Sequence, residues 1–298
     1  MNDGVFDACA ALLPRELAAA VYQAAGEDTS VWEEIRLRAG RGVSLACASG
    51  ECPVETASIG EQELRTVLER ATQSSYQSAA QQLSRGFYTL KGGHRIGVCG
   101  SVSHTTNHMP VFQTISSLCI RIARAHPGAA ECLQNRLLEQ GHFPNTLILS
   151  PPGGGKTTLL RELLRLLSDE FGLRTAVADE RGEVAALWHG VPQLDVGKNT
   201  DVLDGCSKAE GLLTLLRSMT PQVLAVDEIT DPADVRALST AANCGTALLA
   251  TIHGGSVEEL LLRPAYRQLS EQHIFTRVIL ITRAAAGERQ YHMERLAW

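Results

Sequence analysis

The stretch Ser150-Pro-Pro-Gly-Gly-Gly-Lys-Thr157 decides the fold because of what flanks it. An apolar strand, Thr146-Leu-Ile-Leu149, leads into it, and an apolar-periodic helix, Leu159 to Leu167, leads out. A glycine-rich turn between strand and helix points successive backbone N–H groups into one concavity, and the helix N-terminus adds about half a positive charge. Such a concavity binds phosphate. Ser150, Pro151, Pro152, Gly153, Gly154, Gly155, Lys156, Thr157 and Thr158 are therefore the candidate nucleotide-binding residues, with ATP and Mg²⁺ as the expected ligands. Lys156 would reach the β- and γ-phosphates, and the Thr157 hydroxyl would hold the metal. Ser150 stands where this motif expects glycine, but three consecutive glycines still allow close backbone approach.

Outward from the loop, strands and helices alternate. Strands are expected at 146–149, Arg174–Ala178, Gln222–Val226, Thr246–Ile252 and Thr276–Thr282. Helices are expected at 156–168, 208–218, Asp231–Asn243 and 256–269. This alternation argues for an α/β fold with a mainly parallel sheet and helices on its faces. The N-terminal half reads instead as a smaller α+β domain. Its helices are expected at Pro14–Ala25, Ser58–Ala71 and Ser74–Ser84, and Ala39-Gly-Arg-Gly42 and Lys91-Gly-Gly93 close two hairpins. A further strand is expected at Ser117–Ala123, and a helix at Ala129–Gln140 stopped by Gly141. The expected division is residues 1–125, a linker helix region at 126–144, and the phosphate-loop domain at 145–298.

Val223-Leu-Ala-Val226 is a buried-strand run that ends in Asp227-Glu228. Beside a phosphate loop, a strand-end carboxylate coordinates Mg²⁺, directly or through water. A second carboxylate polarises the attacking water. Asp227 fits the first role and Glu228 the second. Asp179-Glu180, after Thr175-Ala-Val-Ala178, belongs at the same sheet edge, where doubly wound sheets bind ligands. Its candidate roles are a second water-positioning group and an outer Mg²⁺ ligand, with a plain charged loop as the alternative. Thr251-Ile-His-Gly-Gly255 brings His253 to that edge as a candidate γ-phosphate sensor. Arg161, Arg181 and Arg217 are candidates to neutralise transition-state charge, with Arg217 just before the Asp-Glu strand. Arg36, Arg38, Arg41, Arg95, Arg121 and Arg124 form a second set, suited to nucleotide on a neighbouring subunit.

Bulk composition narrows the classes. With 298 residues, 44% hydrophobic and 20% charged, the chain is globular rather than disordered. The net charge of −6 does not point to a strongly basic nucleic-acid binder, though a local patch stays open. Aromatics at 5% give little material for base stacking. None of the eight cysteines forms a Cys-x-x-Cys pair, so buried free thiols in a reducing compartment are expected rather than a zinc site. Asp3 and Asp7 break any signal-peptide pattern, and no apolar run approaches the roughly 20 residues of a membrane span.

Several segments together carry a family likeness. They are Glu34-Ile-Arg-Leu-Arg38, Arg95-Ile-Gly-Val-Cys-Gly100, Ser150 to Arg161, Asp179-Glu-Arg181, Gln193-Leu-Asp-Val-Gly197, Thr200-Asp-Val-Leu-Asp-Gly-Cys206 and Lys208-Ala-Glu-Gly211. The chain resembles the stage III sporulation protein AA family, relatives of the type II and type IV secretion ATPases, over nearly its whole length. The resemblance implies a RecA-like P-loop NTPase core behind a smaller domain, assembled as a homo-oligomeric ring, a hexamer. It matches Asp179-Glu180 to an acidic box, Asp227-Glu228 to the Walker B strand and His253 to a histidine box. It departs from the secretion ATPases in keeping an aspartate at 227 and in a shorter histidine segment. It implies a cytoplasmic ATPase, peripheral at the mother-cell side of the membrane, working with the membrane proteins of a sporulation channel to the forespore. On the residues alone two other readings stay open, a nucleic-acid-dependent RecA-like motor and a non-hydrolysing nucleotide-binding scaffold.

Overall fold

The computed structural model describes residues 4–73, 76–104, 110–262, 264–284 and 288–296. The chain divides into two units, Met1–Ala125 with Ala186–Gln193, and His126–Ala185 with Leu194–Trp298.

The first unit contains helices α1 (Gly4–Ala10), α2 (Arg15–Ala25), α3 (Glu61–Ala71) and α4 (Tyr76–Leu83). Its strands are β1 (Glu34–Arg38), β2 (Val43–Cys47), β3 (Gly50–Pro53), β4 (Phe87–Thr89), β5 (Arg95–His104) and β6 (Pro110–Arg121), in the sheet order β3-β2-β1-β6-β5-β4. Every pairing is antiparallel. Period-two alternation sets the faces: Ile35 and Leu37 are fully buried, while Glu34, Arg36 and Arg38 lie on the other face. Burial of each such side chain contributes about 1.5–3 kcal/mol. α3 buries Leu64, Val67, Leu68 and Ala71, a helical stripe. It starts at Glu61 rather than Ser58 because the Gly60 N–H donates to the Glu63 carboxylate at 2.8 Å and closes the first turn there. Residues 74 and 75 of the expected third helix lie outside the described residues.

The arginines of this unit are mostly engaged within it. Arg36 and Arg121 both pair with Glu34, at 2.6 and 3.1 Å, and Arg38 pairs with Glu51. Arg124 donates to the carbonyls of Trp32 and Thr29, and Arg95 stacks over Phe87 at 3.7 Å. The strand expected at 117–123 is the end of the longer β6. Its pairing with β5 shifts register at Cys99/Gly100 and again at Ser101/Val102.

The second unit runs β7 (Thr146–Ser150), α5 (Lys156–Asp169) and β8 (Thr175–Ala178). The short hairpin β9 (Leu187–Trp188) and β10 (Val191–Pro192) follows and groups with the first unit. Then come β11 (Thr200–Leu203), α6 (Lys208–Ser218), β12 (Val223–Val226), α7 (Pro232–Asn243) and β13 (Ala247–His253). Helices α8 (Val257–Leu262) and α9 (Pro264–Glu271) precede β14 (Arg277–Arg283) and β15 (Arg289–Arg295). The sheet order is β11-β8-β12-β13-β7-β14-β15, parallel except for the antiparallel edge strand β15. β7, β8 and β12 are buried at every residue, which is why they read as unbroken apolar runs. Residues of α6, α7 and α9 pack on the face that carries Leu147, Leu149, Leu224 and Val226, and α5 lies on the other.

Two expectations are corrected. Ala129–Gln140 is not an α-helix but a 3₁₀ segment at Glu131–Arg136. Its later carbonyls are taken elsewhere: Arg277 donates to Leu137 O at 2.7 Å, and Glu139 and His142 pair with each other. Within the helix expected over 256–269, residue 263, between α8 and α9, lies outside the described residues. Of the eight cysteines, which are all free thiols, only Cys9 is buried; Cys52, Cys99, Cys132 and Cys244 are exposed. Cys99 follows buried Val98 on β5, so strand alternation turns it outward.

Gly100 sits at the β5–β6 irregularity, where a Cβ would collide with the Thr114 carbonyl, a backbone group that cannot rotate away. Gly100→Ala should therefore destabilise the first unit by about 2 kcal/mol, measured as a lower denaturant midpoint.

Candidate active site

Parallel register brings the candidate residues to one sheet edge. Ser150 ends β7 opposite His253 of β13, and Val226 of β12 lies opposite Ala250 of β13 and Ala178 of β8. Asp227, Thr251, Asp179 and the glycine loop therefore leave the sheet side by side at its C-terminal edge.

The loop curls between Ser150 and Lys156 with Gly153 at φ 72° and Gly155 at φ 98°, left-handed conformations that glycine adopts without strain. Ser150 lies beneath it, fully buried, and its hydroxyl donates to Pro151 O at 2.8 Å. That hydroxyl fills the space a Cβ on Gly154 would need. The serine is thus accommodated by the glycine four residues on. Pro151, Pro152 and Gly153 are exposed, whereas Thr157 and Thr158 are half-buried in the first turn of α5.

Lys156 is buried and folds back on the loop, donating to Ser150 O at 3.1 Å and Pro151 O at 3.3 Å. Its ammonium also lies 2.7 Å from His253 Nδ1. Burial pulls its pKa below the ordinary lysine value, against the opposing pull of Asp227 and Glu228. An ammonium nitrogen only donates, so Nδ1 accepts and Nε2 carries the imidazole proton. Nε2 stands 3.0 Å from Glu228 Oε1, and Arg181 holds the other oxygen, Oε2, at 2.9 Å. The result is one continuous hydrogen-bonded chain, Lys156–His253–Glu228–Arg181, in which a neutral imidazole links the ammonium to the carboxylate.

A second chain crosses it. Thr157 Oγ1 donates to Asp227 Oδ2 at 2.6 Å, and Thr251 Oγ1 donates to Asp227 Oδ1 at 2.6 Å. The Glu228 N–H donates to the same Thr251 hydroxyl at 2.8 Å. Thr251 was not among the candidates, and neither was Lys208, whose ammonium donates to Glu228 O at 2.5 Å and Thr230 Oγ1 at 3.0 Å. These bonds hold Glu228 at φ 58°, the left-handed region that costs a side-chain-bearing residue about 1 kcal/mol or more. The strain sits on the acid that faces the loop lysine through one histidine.

Thr157 and Asp227 offer a hydroxyl and a carboxylate within one hydrogen bond of each other, next to the loop. That donor set suits Mg²⁺, which keeps several waters and takes substrate phosphate oxygens rather than a full protein cage.

The acidic pair divides its roles. Asp179 is almost fully buried and accepts N–H bonds from Glu183, Val184 and Ala185, at 2.9, 3.1 and 2.9 Å. Desolvation pushes its pKa up, opposed by those amides. It folds the loop that follows and faces no water. Glu180 is the outward partner, 3.8 Å from Lys208. Arg161 is also buried, donating to Val184 O and Glu183 O, so it pins the same loop and is not presented to a ligand. Arg217 is not at this edge. α6 begins near the site at Lys208, and nine residues later, about 14 Å along the helix, Arg217 lies beside Gln222 and Thr246 where β12 and β13 begin. Closeness in sequence to the Asp-Glu strand does not survive the reversal of direction between helix and strand.

Replacing Glu228 by glycine would release the left-handed strain. Glu228→Gly and Glu228→Ala both lose the contacts to Arg181 and His253, and only Ala keeps the strain, so Glu228→Gly is expected to be the more stable of the two by about 1 kcal/mol in denaturant unfolding.

The sequence family described as "Sporulation stage III, protein AA" matches residues 11–292. Stage III sporulation protein AA of Bacillus subtilis (strain 168) is 37% identical over 279 residues, spanning 92% of this chain and 90% of the relative. Among solved structures, the pilus retraction motor PilT with bound ADP superimposes with a TM-score of 0.62 at 16% identity, covering 90% of this chain and 80% of its own. The Legionella pneumophila ATPase DotB gives 0.57 at 15% identity, covering 90% and 78%. At such identity the likeness is one of fold, a RecA-like core preceded by a smaller α+β domain. The chain belongs to the stage III sporulation protein AA family.

Proposed function

We propose that the chain is a Mg²⁺-dependent ATP hydrolase of the secretion-ATPase type. The observation that carries this reading is the convergence of Lys156, the Thr157–Asp227 pair and Glu228 on one glycine loop. The loop amides and Lys156 bind the phosphates, the ammonium exchanging its hold on Ser150 O and Pro151 O for phosphate oxygens. Thr157 and Asp227 hold Mg²⁺, which supplies charge neutralisation when bound. Glu228 orients and deprotonates the attacking water. Both of its oxygens are engaged, by His253 and by Arg181, so one contact opens to admit that water. His253 bridges Lys156 and Glu228 and so senses whether phosphate has drawn the lysine away. Glu180 stands in the outer ring of the site near Lys208. The fold relatives support the nucleotide reading by their own descriptions, one as an ATPase and one as a motor with bound ADP.

Family membership supports a proposed cellular role. The Bacillus relative is named for stage III of sporulation, and the proposed role is to power or assemble a transenvelope channel between mother cell and forespore. The working form is a hexameric ring, cytoplasmic and peripheral at the mother-cell face of the membrane, docked on the channel's membrane proteins. No described helix is long and apolar enough to cross a membrane. In a ring, charge that Arg217 does not supply within its own chain is available from a neighbour.

Steady-state phosphate release and equilibrium ATP binding test the assignment together. Lys156→Ala should abolish turnover. Glu228→Gln should bind ATP as the unsubstituted protein does and turn over 10²- to 10⁴-fold more slowly. Full activity in Glu228→Gln would remove that residue from the reaction.

Lys156 also sets a pH dependence. Burial lowers its pKa, so its ammonium is lost at a pH where ordinary lysines keep theirs. ATP affinity should therefore fall as pH rises toward the usual lysine value, and binding in that range should take up protons, read as buffer-dependent heat in calorimetry.

A further inference from the structure

The β14–β15 hairpin carries a feature that the site description leaves unused. Its register pairs Ile279 with Met293, Ile281 with Tyr291 and Arg283 with Arg289. Residues directly opposite in an antiparallel pair share a face, so these six form one column. Ile279, Ile281 and Met293 are buried and Tyr291 is half-buried, while the alternate residues Val278 and Leu280 join the core on the face that carries α6 and α7. The column thus runs along the α5 side of the sheet and ends, beyond the sheet edge, in two exposed arginines.

Both arginines touch the phosphate loop. Arg283 Nη2 donates to Gly153 O at 3.2 Å. The Arg289 guanidinium lies against Gly155, where a Cβ would come within 2.7 Å of its Nε and 2.8 Å of its Cζ. Gly155 is required for its left-handed backbone, and the absent side chain leaves the room that the arginine occupies. Like charges directly opposite across strands repel. Neither arginine has a carboxylate partner among the described residues, although the same unit pairs Arg277 and Arg295 with Glu139 at 2.7 and 2.9 Å. Two guanidinium groups without a carboxylate partner among the described residues are thus held in register against the glycine loop that leads into α5.

We propose that Arg283 and Arg289 are nucleotide-binding residues, a pair that clasps the polyphosphate of a nucleoside triphosphate from the β14–β15 side of the loop. The proposal rests on the nucleotide-binding reading above and names the source of cationic charge within the chain, a part for which Arg161 and Arg217 are misplaced. Guanidinium groups donate two parallel N–H bonds to phosphate, with Arg283 free to exchange its weak bond to Gly153 O for a charged acceptor. Affinity should then scale with the number of phosphates.

The test is calorimetric binding of Mg-ATP, Mg-ADP and AMP to the full chain and to Arg283→Gln, Arg289→Gln and the double variant, at two salt concentrations. Each loss should weaken ATP about tenfold and AMP little, and the double variant should show a shallower salt dependence. Arg→Lys at both positions should restore much of the ATP affinity. ATP affinity within twofold of the unsubstituted protein in the double Gln variant would overturn the proposal. So would an equal loss in Gln and Lys variants with unchanged salt dependence, since that is the signature of a loop merely held in shape. If the unsubstituted protein binds no ATP, the nucleotide reading itself fails, a result separate from either of these. Thermal unfolding without ligand checks that the variants fold, as expected for exposed side chains.

Discussion

One carboxylate ties this site together. Asp227 accepts from Thr157 on the first turn of α5 and from Thr251 on β13, one hydroxyl on each oxygen. Those two hydroxyls belong to different elements, and the aspartate stands one residue past the end of β12. The bonds form only if β7, β13 and β12 are in the observed register, because a shift of one residue would turn each side chain to the opposite face. Thr251 extends the constraint by accepting the Glu228 N–H, and Lys208 completes it from α6 through the Glu228 carbonyl. The left-handed backbone of Glu228 is thus imposed on both sides of the residue. Its carboxylate direction is a consequence of sheet register rather than of any preference of its own.

Hydrogen bonds link four side chains around that frame. Lys156, His253, Glu228 and Arg181 follow one another in hydrogen-bond contact, so in this arrangement each of them has a partner. Under the proposed reaction, an entering triphosphate competes for Lys156 first, because the ammonium's present acceptors include two neutral carbonyls. Drawing the lysine away removes the partner of His253 Nδ1, and the effect reaches Glu228 through a single imidazole. The coupling needs no large movement. It follows from three side chains that cannot all keep their partners once phosphate arrives.

How much of this was legible depends on whether an element's meaning is local. The loop, its strand and its helix could be read because glycines, lysine and threonine carry their chemistry at fixed spacing in consecutive residues. Glu228 and His253 followed because each ends a buried apolar run. The setting of Asp179 and Arg161 was not legible, because a charged residue looks the same in sequence whether it faces solvent or buried backbone amides and carbonyls. Arg217 was misplaced because sequence distance to β12 ignores the length of α6. The strand β15 went unseen because Arg289-Gln-Tyr-His-Met-Glu-Arg295 is an edge strand with little apolar signal, and the two loop-facing arginines went unseen or unweighted with it. The helix expected at 129–140 failed for a tertiary reason, since Arg277, 140 positions from Leu137, takes that residue's carbonyl.

Asp179 and Arg161 nevertheless bear on function through what they hold. The segment from Glu180 to Ala185 is fixed at its far end by three N–H bonds to one buried carboxylate and two carbonyl bonds to one buried guanidinium. Breaking that set would leave a charge buried without its partners, a cost of several kcal/mol. Arg181 therefore hangs from a rigid arch, while its partner Glu228 is clamped by Thr251 and Lys208. When two fixed backbones carry an ion pair, the contact is broken by side-chain rotation and not by loop displacement. Under the proposed reaction, opening Glu228 to water costs little more than the exposed Arg181 contact, worth about 1 kcal/mol or less. The buried polar groups keep the backbone still so that the exposed ones can exchange cheaply.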